Sequence, residues 1–266
     1  MKKYVLDLLV VDRQVLNREY VLLKLTNPAA ALPEMMPGQF AELRVDGSKT
    51  TFLRRPISIN FVDYERNEVW FLIRMIGDGT RALGQLKSGD KLNVLFPLGN
   101  SFTMSGAGFP KAEEKGTSLL LVGGGVGTAP LLYLGNELKQ KGYAPVFLLG
   151  ARTADDLLEL DDFAQLGEVF TTTEDGSMGE RGLVVQHSVL QNRNFSWIYS
   201  CGPKPMMQAV AAYAASRGIP CEVSLENKMA CGVGACLCCV ENTKEGHKCV
   251  CKEGPVFNTE DLLWQS

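Results

Sequence analysis

Six of the eight cysteines in this 266-residue chain fall between Cys231 and Cys251, in MACGVGACLCCV (229–240) and HKCVCKEGPVF (247–257). Thiols so crowded could form disulfides, hold zinc, act as nucleophiles or ligate an iron–sulfur cluster. The compartment decides the first. MKKYVLDLLVVDRQ at the start has an apolar run, but Asp7 interrupts it and no small-residue cleavage site follows, so a strand is expected rather than a signal peptide. The longest charge-free run, Thr117 to Asn136, carries Gly123, Gly124, Gly125, Gly127 and Pro130 in its middle, which fits strand–turn–helix rather than a membrane span. A cytoplasmic chain with reduced thiols is expected, and disulfides drop out.

The remaining choice lies between zinc and a cluster. Cys231, Cys236 and Cys239 stand in C-x4-C-x2-C, the plant-type [2Fe–2S] spacing, which needs a fourth, more distant cysteine. Gly232 and Gly234 inside the first loop let the backbone wrap a cluster closely. Zinc modules present paired knuckles far apart, whereas the second group here is only the C-x-C of Cys249 and Cys251. Cys238 directly precedes Cys239, and neighbours in an extended loop point opposite ways, so Cys238 is expected to be a spectator. Cys249 and Cys251 would share one side of a strand, and geometry does not choose between them.

Three further stretches have phosphate chemistry. LLLVGGGVGTAP places Gly124, Gly125, Val126, Gly127 and Thr128 between a buried strand and a helix, where a tight turn and a helix N-terminus suit a phosphate. Cys201, Gly202 and Pro203 end a later strand, so Cys201 is expected near a nicotinamide; a merely buried thiol is the alternative. RRPISI offers an arginine fork for phosphate and a serine hydroxyl for a ring edge, although an exposed arginine pair is the plainer reading. In GDGTRALGQL, Gly79 frees the backbone and Thr80 can lead a short helix toward an anion.

These residues need elements to position them. Residues 1–101 read as short β-rich runs separated by turns, predicting an N-terminal antiparallel β-barrel. Residues 102–222 alternate strands with helices, predicting a doubly wound parallel sheet that binds a nucleotide. TADDLLELDDFAQLG and RGLVVQHSVLQ are among the predicted helices. Residues 223–266 form a small C-terminal cysteine module. A net charge of −3, with 45% hydrophobic and 21% charged residues, argues against nucleic-acid or anionic-membrane binding. Two anion-friendly elements on a barrel followed by a nucleotide domain point to a flavin dinucleotide, FAD, on the barrel and a pyridine nucleotide on the sheet.

In order and content the first two segments resemble the ferredoxin–NADP reductase superfamily. Its Arg-x-(Tyr/Ile)-Ser flavin motif matches Arg55, Pro56, Ile57 and Ser58, and its glycine-rich and Cys-Gly-Pro motifs match Gly123–Thr128 and Cys201–Pro203. ENKMACGVGACLCCV…CVCKEGPVF resembles the electron-transfer subunit of type B dihydroorotate dehydrogenase, extending the likeness to nearly the whole chain. The resemblance implies Cys251 as the last ligand, beside Cys231, Cys236 and Cys239. It also implies that Leu72, Ile73 and Arg74 line the flavin, while Arg55 neutralises its phosphates, Ser58 touches its ring, and Gly79 with Thr80 hold its pyrophosphate.

A nicotinamide exchanges two electrons at once and a [2Fe–2S] cluster one, so a flavin belongs between them. His187 and His247 are isolated, no Ser/His/Asp arrangement is visible, and no catalytic residue is assigned. Electrons must therefore pass to or from another protein. The resemblance implies an FMN-containing catalytic subunit that oxidises dihydroorotate to orotate in pyrimidine biosynthesis, in a heterotetramer with two copies of each chain. It also implies NAD rather than NADP, although Arg152 stands where a 2′-phosphate could be met. Two rivals are an NAD(P)H-dependent flavin/iron–sulfur reductase subunit of another system, of oxygenase-reductase or sulfide-dehydrogenase type, and a binding module with structural zinc.

Overall fold

The computed structural model describes residues 2–46 and 48–264; Met1 and Gly47, and Gln265 and Ser266 of the expected 223–266 module, lie outside them. The chain forms two compact units. The first contains residues 1–101, 226–241 and 248–255, and the second residues 102–225, 242–247 and 256–266.

The first unit is built on β1 (Tyr4–Val15), β2 (Tyr20–Thr26), β3 (Phe40–Leu43), β4 (Arg55–Ser58), β5 (Phe61–Asp63), β6 (Glu68–Arg74), the short helix α1 (Asp78–Leu83) and β7 (Lys91–Leu98). The strands make one antiparallel sheet in the order β4-β3-β7-β1-β2-β6-β5, the half-barrel expected of the first segment. Its core is the fully buried set Leu8, Leu23, Leu43, Phe71, Val94 and Phe96. Residues at i and i+2 share one face of a strand, and burial alternates in this way at Leu8 and Val10 of β1 and at Leu92, Val94 and Phe96 of β7, whereas β2 and β3 are buried at successive positions.

The second unit alternates in type: β8 (Leu119–Gly124), α2 (Ala129–Gln140), β9 (Pro145–Ala151), α3 (Leu160–Leu166), β10 (Glu168–Thr173), β11 (Glu180–Arg181), α4 (Val189–Asn192), β12 (Trp197–Cys201), α5 (Lys204–Arg217) and β13 (Cys221–Ser224). After β14 (Val240–Thr243) and β15 (Gly246–Cys249), which make a two-stranded sheet, β16 (Val256–Asn258) returns to β13. The large sheet runs β11-β10-β9-β8-β12-β13-β16, parallel except for the final antiparallel pair. Strand order reverses between β8 and β12, and the crevice beyond their C-termini is where such sheets bind ligands.

Two predicted helices are shorter than their apolar patterns suggest. The first is interrupted because Glu159 takes φ +56°, leaving a 3-10 turn at Ala154–Asp156 and then α3. In the second, side chains take the backbone donors a helix needs. Glu180 accepts from the Ser188 amide at 2.9 Å, and His187 Nδ1 accepts from the Val189 amide at 3.0 Å, so only α4 remains. Among the described residues no helix is long and apolar enough to cross a membrane.

Candidate cofactor sites and the cysteine loop

The consecutive arginines at the start of β4 have separate employments. Arg54 points back into the sheet, its Nη1 donating to the carbonyls of Glu42 and Asn93 at 3.1 Å each. It thereby ties β3 to β7. The Arg55 side chain makes no hydrogen bond among the described residues and runs beside Gly79. A Cβ on Gly79 would come within 3.0 Å of Arg55 Cδ and 2.9 Å of Thr51 Cγ2. Arg55, Thr51 and the start of α1 are thus gathered at one place, with a free guanidinium for an anion. The Thr80 hydroxyl, by contrast, closes its own helix, accepting from the Gly77 amide at 3.1 Å. On β4, Pro56, Ile57 and Ser58 pair with Glu42, Ala41 and Phe40 and remain half-buried.

Leu72 and Ile73 are 1% and 0% exposed, and the β5–β6 ladder stops at Trp70. Arg74 is held by Glu19, with Nε–Oε2 2.9 Å and Nη2–Oε2 2.8 Å.

In the second unit the two glycine-containing loops are packed on each other. A Cβ on Gly127 would sit 2.5 Å from the Cys201 carbonyl oxygen and from the Gly202 nitrogen and Cα. One on Gly124 would lie 2.6 Å from Met206 Sδ and 3.2 Å from Pro203 Cδ. Gly125 has φ +55°, and Thr128 Oγ1 donates to the Gly125 carbonyl at 2.9 Å, closing the turn before α2. Val126 lies within this turn. Cys201 is buried. Gly124–Thr128 and Cys201–Pro203 therefore form one narrow floor at the switch point, where backbone approaches backbone without side chains between. Nearby, Arg152 Nε lies 3.7 Å from Asp156 Oδ2.

The cysteine loop shows how the chain turns amides onto sulfur. Cys231 Sγ accepts from the amides of Val233 (3.5 Å), Ala235 (3.3 Å) and Cys236 (3.4 Å). Cys251 Sγ accepts from Gly234 at 3.1 Å, and Cys239 Sγ from the Cys251 amide at 3.4 Å. This wrapping requires positive φ at Gly232 (+66°), Gly234 (+82°) and Leu237 (+58°), the last an uncommon conformation for a leucine. Amide donors, first that of Val233, pull the Cys231 thiol down to about 6. Burial, then the Cys239 thiol, pushes Cys251 up to about 12. Among the described residues no three His, Cys, Asp or Glu are grouped to hold a single ion.

Cys249 and Cys251 do not share a strand. β15 ends at Cys249, and the amides of Lys252 and Glu253 bend back to the Cys249 carbonyl at 2.9 and 2.8 Å. The turn is fastened to the half-barrel: Asn100 donates from its amide to the Gly254 carbonyl at 2.6 Å and from Nδ2 to the Glu253 carbonyl at 3.0 Å. Cys251 is thereby held at the loop with its sulfur accepting an amide, while Cys249 has its own amide on Glu253 Oε2 at 2.6 Å. Cys238 is exposed and Cys239 buried.

One residue escaped the sequence reading. Glu42, in the middle of β3, is 1% exposed, and neither of its carboxyl oxygens has a hydrogen-bond partner. Its signal was a lone acid in the apolar run QFAEL, which by type alone reads as a solvent-facing strand position.

Comparison with known proteins agrees with this geometry. Residues 226–263 match the iron–sulfur cluster binding domain of dihydroorotate dehydrogenase B, and residues 121–212 an oxidoreductase NAD-binding domain. The electron transfer subunit of dihydroorotate dehydrogenase B (NAD(+)) from Bacillus caldolyticus is 37% identical, with 95% of each chain covered. That of Caldanaerobacter subterraneus subsp. tengcongensis is 42% identical over 86% of this chain and 87% of its own. Among solved structures, a chain of the NADH-dependent reduced ferredoxin-NADP oxidoreductase described for flavin-based electron bifurcation superposes with a TM-score of 0.83. It is 29% identical, with 97% of this chain and 90% of that one covered. An Amycolatopsis cytochrome P450 reductase shares the fold at a TM-score of 0.65 and 24% identity, over 81% of this chain and 66% of its own. By sequence, by fold and by the cysteine loop, the chain belongs to the family of dihydroorotate dehydrogenase B (NAD(+)) electron transfer subunits.

Proposed function

We propose that this chain is the NAD-linked electron-transfer subunit of an oxidoreductase complex. It passes electrons between NAD and a catalytic subunit that oxidises dihydroorotate to orotate, by way of FAD and a [2Fe–2S] cluster. The carrying observation is the cysteine loop, in which amides from Val233, Gly234, Ala235 and Cys236 are turned onto the sulfurs of Cys231 and Cys251. Such donors stabilise the negative charge of a thiolate-bound cluster. Cys231, Cys236, Cys239 and Cys251 would hold it.

Arg55 would neutralise the flavin phosphates, helped by the bare backbone at Gly79, while Ser58 and the Leu72–Arg74 stretch of β6 would meet the ring. Thr80 would act through its amide, since its hydroxyl is occupied. The floor formed by Gly124–Thr128 and Cys201–Pro203 would take NAD. When bound, flavin supplies the conversion between two-electron and one-electron transfer. The chain's part is to orient these groups and to shield them from water.

The partner is proposed to carry FMN and to assemble with two copies of each chain, in the cytoplasm. Val233 and Leu237 stand exposed on the cysteine loop, 38% and 65%, and give such a partner an apolar contact. The likeness to the ferredoxin-NADP oxidoreductase chain favours a second reading, an electron-transfer subunit of another flavin–iron–sulfur complex. One experiment separates them. Co-expressed with a dihydroorotate dehydrogenase catalytic subunit, the chain should co-purify and support dihydroorotate-dependent NAD⁺ reduction, and failure of both favours the second reading.

A further inference from the structure

Glu42 occupies a place where a carboxyl is costly. It is 1% exposed, both its carboxyl oxygens lack a hydrogen-bond partner, and the residue facing it on β4 is Pro56, which has no N–H to offer. A buried polar group left in this state calls for an explanation.

What it touches supplies one. A Cβ on Gly232 would lie 2.7 Å from Glu42 Cγ and 3.1 Å from Oε1, so the carboxyl sits directly against the Gly232 step, one residue from Cys231. Leu98 closes the same spot, 3.1 Å from that Cβ position. The charged or titratable groups facing the carboxyl are Arg55, Arg54 and the Cys231 thiol. Arg54 is committed to the carbonyls of Glu42 and Asn93, which leaves Arg55 as the counter-charge. Burial raises the carboxyl pKa to about 7, against the pull of the two arginines.

We propose that Glu42 is a positioning residue for electron transfer, whose buried carboxylate beneath the Gly232 step holds down the reduction potential of the cluster borne by the Cys231 loop. A fixed negative charge that water cannot screen raises the energy of an electron added nearby. The inference rests on the cluster reading given above.

The test uses the full chain with its cluster, as Glu42→Gln and Glu42→Met. Cluster midpoints are measured by reductive titration followed by electron paramagnetic resonance, at a pH well above 7 so that the wild-type carboxyl is ionised. Both variants should shift the midpoint upward by about a tenfold change in the reduction equilibrium, ~59 mV for one electron. Both should keep the cluster absorption, and Glu42→Met should melt no lower than wild type, because an unpartnered buried carboxyl has been removed. Unchanged midpoints in two cluster-loaded variants overturn the proposal, as does a shift seen only with loss of thermal stability. A wild-type chain with no cluster signal overturns the cluster reading itself, and this inference with it.

Discussion

Cys249 and Cys251 are separated by one valine, yet their sulfurs have different surroundings. The Cys251 sulfur receives the Gly234 amide, whereas Cys249 ends a strand and anchors a turn through its carbonyl. Cys251→Ser should therefore lose the cluster's visible absorption, while Cys249→Ser should keep it and lose about 1–2 kcal/mol of stability as a buried polar replacement. Chemical denaturation together with absorption spectra checks both. Gly127 meets the backbone of Cys201 and Gly202 with no room for a methyl. Gly127→Ala should cost about 1–3 kcal/mol of stability from overpacking. It should also lower kcat/KM for NADH at least about tenfold, which is ~1.4 kcal/mol. Flavin and cluster spectra should be unchanged, since the residues proposed to hold those groups belong to the other unit. At this scale spacing was informative where chemistry demands it, in C-x4-C-x2-C and the glycine turn. Spacing was silent on Cys249 against Cys251, because the intervening turn depends on Asn100, far away in sequence. It was equally silent on Glu42, whose burial comes from Gly232 and Leu98.

Long elements announced themselves and short ones did not. α2 and the parallel strands follow strong apolar patterns, and α5 buries Met207, Val210, Ala211 and Ala214 on one face. The segment after β10 does not follow its pattern, because the side chains of Glu180 and His187 take donors that a helix would need. β13 carries a second buried acid, Glu222, whose oxygens accept from the Thr103 amide at 2.9 Å and the Thr103 hydroxyl at 2.6 Å. Burial raises its pKa, and the Thr103 contacts pull it back down. A carboxyl raised in the folded state contributes stability that is fully present below its unfolded pKa and is lost as pH rises through the folded one. Thr103→Val removes one restraining bond and pushes that pKa higher. The variant should be about 1–3 kcal/mol less stable at neutral pH and should recover part of the loss as pH falls toward about 5. Thermal unfolding across that range measures this, and a deficit that grows on acidification would count against it.

For the whole molecule, the order of half-barrel, nucleotide sheet and cysteine module was legible from one end of the sequence to the other. The interleaving of the last segment was not. Residues 226–241 and 248–255 belong to the first unit, and residues 242–247 and 256–266 to the second. Four ligands on one cluster would cross-link the 231–239 loop to the turn at Cys251. Stripping the iron under reducing conditions should then lower the melting temperature by several degrees, on the scale of about 1–3 kcal/mol for a lost cross-link. Scanning calorimetry of loaded and stripped protein tests this.

Among the described residues β16 is the only antiparallel neighbour in the large sheet, and it arrives after the last proposed ligand. It therefore serves as a cover for the open flank of β13. A shortened gene product ending near Leu225 would keep every residue of the nucleotide floor but leave that flank with unpaired amides and carbonyls, a template for pairing between molecules. Such a fragment should precipitate or form oligomers, so dissecting this protein into separately soluble halves requires carrying the tail strand along with the nucleotide half.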